Sequence, residues 1–146
     1  MHWIQISWFM RIIWHLQITK KRKDLLEGII AEEDKDGNPV VSIPLQVCAE
    51  FINVCTRETV GKPLSIVEAV SLIRKYTEFL GIPIILPKLT QLNTFLTLLE
   101  TTKTRKKVFD IFLAATLKDN DIEGIYTVNV YDFKEFKFLK VENPIT

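Results

Sequence analysis

Cysteine is scarce in this sequence, with two residues, Cys48 and Cys55, among 146. On a helix they would lie two turns apart, roughly 10 Å along the axis, which is too far for a disulfide. The two cysteines and two histidines never cluster along the sequence, so no zinc-binding spacing exists. We therefore predict that both cysteines are core thiols of a protein in a reducing cytoplasm.

The sequence also lacks an excess of charge and a long uninterrupted apolar run. Its net charge of +1 does not indicate nucleic-acid binding, so RNA binding would need a local basic patch. Residues 20–23 and 103–107 are candidates for such a patch, and the alternative is that both are solvated helix ends. Gln5, Arg11 and His15 interrupt the apolar N-terminal stretch, which argues against a membrane span, and the features of a signal peptide are missing.

Strand patterns and helix patterns alternate through most of the chain. Short apolar or β-branched runs predict strands, and apolar residues three and four apart predict helices. The predicted strands are 40–43, 82–86, 122–127 and 137–142, and the predicted helices are 45–57, 66–80, 90–101 and 105–118. The alternation predicts a single domain over residues 1–146, a three-layer α/β/α sandwich with a central, mainly parallel sheet.

The stretch from Lys107 to Phe133 is the most informative about function. Apolar residues recur at helical spacing, the polar run 119–121 ends the helix, and a short buried strand follows. Asp110 lies near the start of the helix, and Asp132 lies just past the end of the strand. In open α/β sheets ligands bind at the carboxyl edge of the strands, which is where these acids are expected.

Three segments, taken in order, resemble the motifs of the PIN-domain family, specifically its small VapC-type toxin ribonucleases. The family's helix motif Asp-x-x-x-Ala-Ala-Thr/Ala is matched by residues 110–116, and its strand motif Thr-x-Asn/Asp-x-x-Asp-Phe by residues 127–133. The segment Val-Cys-Ala-Glu-Phe, residues 47–51, is similar to the second acidic motif of the family. The resemblance covers the chain from about residue 20 to its end.

This resemblance implies a set of site residues and an activity. Glu50, Asp110 and Asp132 would be catalytic residues and metal ligands, and Thr127 and Asn129 would line the site. Carboxylates without Cys or His suit Mg²⁺ or Mn²⁺, which polarise a phosphoryl oxygen and activate a water for attack on a phosphodiester. The implied activity is metal-dependent cleavage of single-stranded RNA by a homodimer that is held by a small antitoxin protein.

Each of these residues also has a purely structural interpretation. Glu50 would be a solvated residue beside an apolar helix stripe. Asp110 would be an ordinary first-turn acid that the helix dipole favours. Asp132 would cap a short final turn, and Thr127 would end a strand.

The first motif of the family, an N-terminal Leu-Asp-Thr/Ser-Asn, is absent from this sequence. Residues 1–19 also differ from the rest in composition, because all three Trp, both His and both Met fall within the first fifteen residues. The genetic code suggests a reason. The first four residues, Met-His-Trp-Ile, must be encoded by ATG, CAT or CAC, TGG, and AT with a third base.

A frame that starts at the G of ATG begins with the triplets GCA, CTG or TTG, and GAT, which encode Ala, Leu and Asp. The next triplets encode Thr, Ser or Pro and then Asn or Asp, and the pair Trp8-Phe9 fixes a later Val followed by Tyr or His. The shifted frame can therefore encode Ala-Leu-Asp-Thr/Ser-Asn-Ile-Leu-Val-Tyr, which is similar to the missing motif. We infer a frame change over residues 1–19, either natural or introduced in sequencing.

Two functions are compatible with this sequence. The first is a Mg²⁺- or Mn²⁺-dependent endoribonuclease of the toxin–antitoxin type, impaired in this chain because the first acidic residue is missing. The alternative is a non-catalytic remnant that still folds and acts only by binding an antitoxin or by dimerising. The missing carboxylate separates them, because losing one ligand weakens metal binding and leaves the phosphate charge less neutralised.

Overall fold

The computed structural model describes residues 3–5, 28–58, 63–102, 108–127 and 130–143. Its strands are β1 Trp3–Gln5, β2 Val41–Pro44, β3 Ile84–Ile85, β4 Gly124–Tyr126 and β5 Lys140–Glu142. Its helices are α1 Leu45–Cys55, α2 Ile66–Arg74, α3 Gln91–Thr101, α4 Val108–Asp119 and α5 Val130–Phe133, and a π-helical segment, Lys75–Phe79, continues α2. The described chain is therefore a mixed α/β protein, as the alternating pattern predicted.

Every strand pairing between these strands is parallel. The strands follow the order β3-β2-β1-β4-β5, so that β1 lies between β2 and β4. In this register Trp3 is opposite Val41 on one side and opposite Gly124 on the other. The predicted parallel pairing is confirmed, and β5 lies at an edge of the sheet. Parallel pairing directs the carboxyl ends of all these strands to the same edge of the sheet.

The strands are shorter than the sequence pattern predicted. β3 contains only Ile84 and Ile85, because prolines at 83 and 87 flank it and proline has no N–H group to donate to the ladder. The Pro83 carbonyl nevertheless accepts a hydrogen bond from the N–H group of Ile43, with N···O 2.9 Å. The paired strand β4 is also shorter than the predicted strand 122–127. Ile122 and Thr127 are buried, but they lie just outside β4.

The hydrophobic core is formed by side chains of the sheet, of α1 and of α4. Val47, Phe51 and Cys55 of α1 are almost completely buried, and Cys48 is 8% exposed. Both thiols are free, as predicted for core cysteines. Burial raises the pKa of the Cys48 thiol, which keeps it in the neutral form suited to this apolar setting. The largest fully buried core side chains are Phe51, Phe133, Ile43, Ile111, Leu113, Leu117 and Ile125.

α4 was predicted to be amphipathic, but its second half is buried on most sides. Residues 113–117 are all buried, because α3 covers the side of α4 that would otherwise face solvent. The polar run then ends the helix as predicted. Asp121 adopts a left-handed conformation with φ 55°, and the N–H group of Ile122 donates to the carbonyl of Leu117 at 3.0 Å.

A Ser followed three residues later by a Glu is typical of a capping box, and α2 begins with one at Ser65 and Glu68. The N–H group of Glu68 donates to Ser65 Oγ, and the N–H group of Ser65 donates to Glu68 Oε1, each at 3.1 Å. The end of the helix differs from the prediction, because residues 75–79 widen into a π-helical segment. Gly81 then ends the helix with φ 71°, a conformation that glycine adopts without strain.

α3 and α4 pack against each other as an antiparallel pair. Gln91 at the start of α3 donates from Nε2 to the carbonyl of Phe112 at 2.9 Å, and the rings of Phe95 and Phe112 pack edge to face with centroids 5.2 Å apart. None of the helices described in this structure has the length and apolar character needed to cross a membrane.

Candidate functional site

Two of the predicted acids follow the strands that flank β1. Pro44 ends β2 and leads directly into α1, and Glu50 lies in the second turn of that helix, half-buried. Asp132 lies in α5, a few residues after β4, and is also half-buried. Because β2 and β4 are the neighbours of β1 in a parallel sheet, both acids belong to segments that leave the same sheet edge.

A glutamine connects Glu50 to the first turn of α4. Gln46 Nε2 donates to Glu50 Oε1 at 3.0 Å and to the carbonyl oxygen of Phe109 at 2.9 Å. Asp110 is the next residue along the chain and is half-buried in the first turn of α4. The structure therefore brings the α1 segment of Glu50 together with the helix start that carries Asp110.

The sequence interpretation did not include Gln46 in the site. The available signal was its position four residues before Glu50, which places both side chains on one face of a helix. That spacing predicts contact between Gln46 and Glu50, but it cannot predict the bond to Phe109, which is 63 residues away.

A buried phenylalanine fixes the position of Asp132. Phe133, the next residue, is 1% exposed and packs against Phe136 with ring centroids 6.1 Å apart. This anchor holds the short helix α5 against α4 and β5. Thr127, predicted to line the site, is completely buried, and its N–H group donates to the carbonyl of Glu142 at 2.9 Å. Asn129 lies outside the described residues, as do the basic runs 20–23 and 103–107.

Two carboxylates influence the tyrosine at the end of β4. The pKa of the Tyr126 phenol is raised, first by burial and then by the carboxylates of Glu32 and Glu142. Glu142 lies opposite Tyr126 in the pairing of β4 with β5 and forms an ion pair with Lys140, with Nζ 3.3 Å from Oε1.

The oxygen donors of Glu50, Asp110 and Asp132 are of the kind that Mg²⁺ and Mn²⁺ bind. Within the residues that the structure describes, however, no three His, Cys, Asp or Glu side chains are grouped closely enough to hold a metal ion. One oxygen of Glu50 already accepts the amide of Gln46. The described residues do not by themselves form a complete metal cage, and a common site for the three acids stays a prediction.

Comparison with known proteins adds no family to this picture. No protein-family model matches the chain, and no curated protein matches it in sequence. The resemblance to PIN domains therefore depends on the three motifs, their order and the positions of their acids.

Proposed function

We propose that this chain descends from metal-dependent ribonucleases of the PIN-domain toxin type and lacks one carboxylate of their metal site. The complete domain would be a three-layer α/β/α sandwich in the cytoplasm. The observation that carries this proposal is the central position of β1, between the two strands that lead to Glu50 and Asp132. A carboxylate on that central strand would lie between the segments that carry Glu50 and Asp132.

The frame argument supports the same position independently. In the shifted frame the obligatory Asp is encoded by the last base of the Trp3 codon and the first two bases of the Ile4 codon. Those two residues belong to β1 and pair with both β2 and β4. The acid inferred from the codons would therefore lie on the central strand.

The residues of the intact site would divide into metal ligands and residues that support or border them. Glu50, Asp110, Asp132 and the restored Asp would supply oxygen ligands to Mg²⁺ or Mn²⁺. The ion would neutralise charge on the phosphodiester of single-stranded RNA and lower the pKa of an attacking water. Gln46 would orient the carboxylate of Glu50 through its amide hydrogen bond, as residues behind metal ligands commonly do. Thr127 and Asn129 would border the site.

An exposed apolar row favours the second candidate function, a remnant that acts only by binding. Leu89 lies in the turn before α3, and Leu92 and Leu96 lie in the helix; they are 107%, 65% and 48% exposed and are spaced three and four residues apart. Such a row is suited to burial against an amphipathic segment of an antitoxin or against a second copy of the chain. This function needs no metal site, so the loss of the first Asp would leave it intact.

Cleavage of a single-stranded RNA pool distinguishes the two candidates. One protein is the chain as written, and the other, the restored chain, carries the shifted frame over residues 1–19. We expect Mg²⁺- or Mn²⁺-dependent cleavage from the restored chain and little or none from the chain as written. Changing Asp110 to Asn in the restored chain should abolish cleavage, whereas Asp121→Asn, at an exposed turn, should not.

Robust Asp110-dependent cleavage by the chain as written would show that the first motif is dispensable. Absence of cleavage by a folded restored chain would leave the binding function as the better account.

A further inference from the structure

A pocket of about 330 Å³ lies between α1, α3 and α4, next to the acids of the candidate site. Its walls are formed by Gln46, Phe95, Val108, Phe109 and Phe112. The volume is at the lower end of the range for small-ligand pockets, which suits one ring system rather than a whole cofactor. Three of the five walls are phenyl rings, which favours a flat, aromatic occupant.

Gln46 carries a buried acceptor beside this pocket. Its Nε2 donates to Glu50 and to the carbonyl of Phe109, and both partners are acceptors. This fixes the orientation of the amide and leaves Oε1 buried, with no hydrogen-bond partner among the residues that the structure describes. A buried unsatisfied acceptor is unfavourable, so a ligand that brings an N–H donor to it gains affinity.

The aromatic walls of the pocket differ in exposure. The side chain of Phe109 is 76% exposed. Phe112, by contrast, is held by the edge-to-face contact with Phe95. The pocket thus combines one exposed aromatic wall with one packed aromatic wall.

We propose that this pocket binds one unpaired nucleobase of single-stranded RNA. A base has a flat face to pack against the rings of Phe109 and Phe112. On binding it would displace the exposed ring of Phe109, and N–H groups on its edge would then donate to Gln46 Oε1. The proposal rests on the proposed function in one respect, the choice of RNA as the source of the base. The pocket would place that base beside Glu50 and Asp110, so it would select the nucleotide next to the bond that the metal site addresses.

Binding can be measured without catalysis. Fluorescein-labelled single-stranded RNA hexamers are titrated with the full chain in EDTA, and anisotropy is recorded. One hexamer contains adenosine, and a matched hexamer contains purine riboside, which lacks the 6-amino donor. We expect Phe109→Ala to weaken binding of the adenosine hexamer about fivefold or more, as loss of a base-packing aromatic does. Phe79→Ala, at an equally exposed Phe outside the pocket, should bind like the unaltered chain.

The role of the Gln46 amide is tested by comparing the affinities for the adenosine hexamer and the purine riboside hexamer. The unaltered chain should prefer adenosine over purine riboside, and Gln46→Met should lose that preference while remaining folded. Equal binding by the Phe109→Ala and Phe79→Ala variants, or no RNA binding at all, would overturn the proposal. Displacement of the adenosine hexamer by N-acetyltryptophanamide as effectively as by adenosine monophosphate would assign the pocket to a protein side chain, which would also overturn it.

These outcomes are separable from those of the cleavage experiment. Base-selective binding without cleavage by the restored chain would keep the pocket and reject the ribonuclease proposal. Asp110-dependent cleavage with no effect of Phe109→Ala would keep the ribonuclease and reject the pocket.

Discussion

Gln46 holds the carboxylate of Glu50 from one turn earlier in α1, with Nε2 3.0 Å from Oε1. The same nitrogen donates to the carbonyl of Phe109 in the first turn of α4. One amide group therefore connects the two helix starts that carry predicted acids. Because the same group donates to both acceptors, the link needs a side chain with at least two N–H hydrogens, such as an amide or a cation.

Replacing Gln46 by Glu should destabilise the chain by about 2 kcal/mol, because an oxygen would then face two acceptors and a second carboxylate would lie beside Glu50. The free energy of unfolding is obtained from urea titration. Asn53→Asp is the matched control, since Asn53 is an exposed residue of the same helix and gains the same charge. If the two variants lose equal stability, the link through Gln46 has no structural importance.

The contrast between Glu50 and Gln46 shows what the sequence could and could not predict. Apolar spacing along α1 was sufficient to place Glu50 on the flank of a buried stripe, where it is half-buried. The bond from Gln46 to Phe109 depends on how α1 and α4 approach each other, which no local pattern encodes. The burial of residues 113–117 was missed for the same reason, because it results from the packing of α3.

Backbone features set by single residues are predictable from local sequence. The Ser65–Glu68 capping box and the turn at Gly81 follow from local hydrogen bonding and from the freedom of glycine at positive φ. The parallel sheet followed from alternation of the elements, but the strand order, with β1 at the centre, could not be derived from that alternation.

Thr94→Val should destabilise the α3–α4 pair by about 1 kcal/mol. Thr94 Oγ1 donates to Asp119 Oδ1 at 2.6 Å, and a hydrogen bond to a charged, partly buried carboxylate is stronger than a neutral one. Thr97→Val is the control, because its hydroxyl donates only to a backbone carbonyl of its own helix and is exposed. The measured quantity is the urea concentration at the unfolding midpoint, and the slope of unfolding free energy against urea concentration should not change. A Thr97 variant as destabilised as the Thr94 variant would contradict this account.

In Tyr126→Phe the unfolding free energy should fall less steeply as pH rises above about 9. The folded-state pKa of Tyr126 is raised, first by burial and then by Glu32 and Glu142. The resulting stabilisation is present below the unfolded pKa of about 10 and is lost as pH rises through the folded pKa, because the unfolded chain ionises first. Unfolding free energies are measured from about pH 9 to about pH 11. Tyr131→Phe removes a phenol that is 82% exposed. In that variant the unfolding free energy should fall with pH as steeply as in the unaltered chain. Identical slopes in the two variants would be inconsistent with the raised pKa.

The most direct test of the central claim is calorimetric titration of Mn²⁺ into the restored chain and the chain as written. The claim is that the acid lost from β1 completes a site with Glu50, Asp110 and Asp132. We predict one bound ion per restored chain, binding at least about tenfold weaker in the chain as written, and a similar loss on Asp110→Asn but not on Asp121→Asn, because removing a carboxylate ligand weakens a hard-cation site. Equal Mn²⁺ binding by the restored chain, the chain as written and the Asp110→Asn variant would contradict the account.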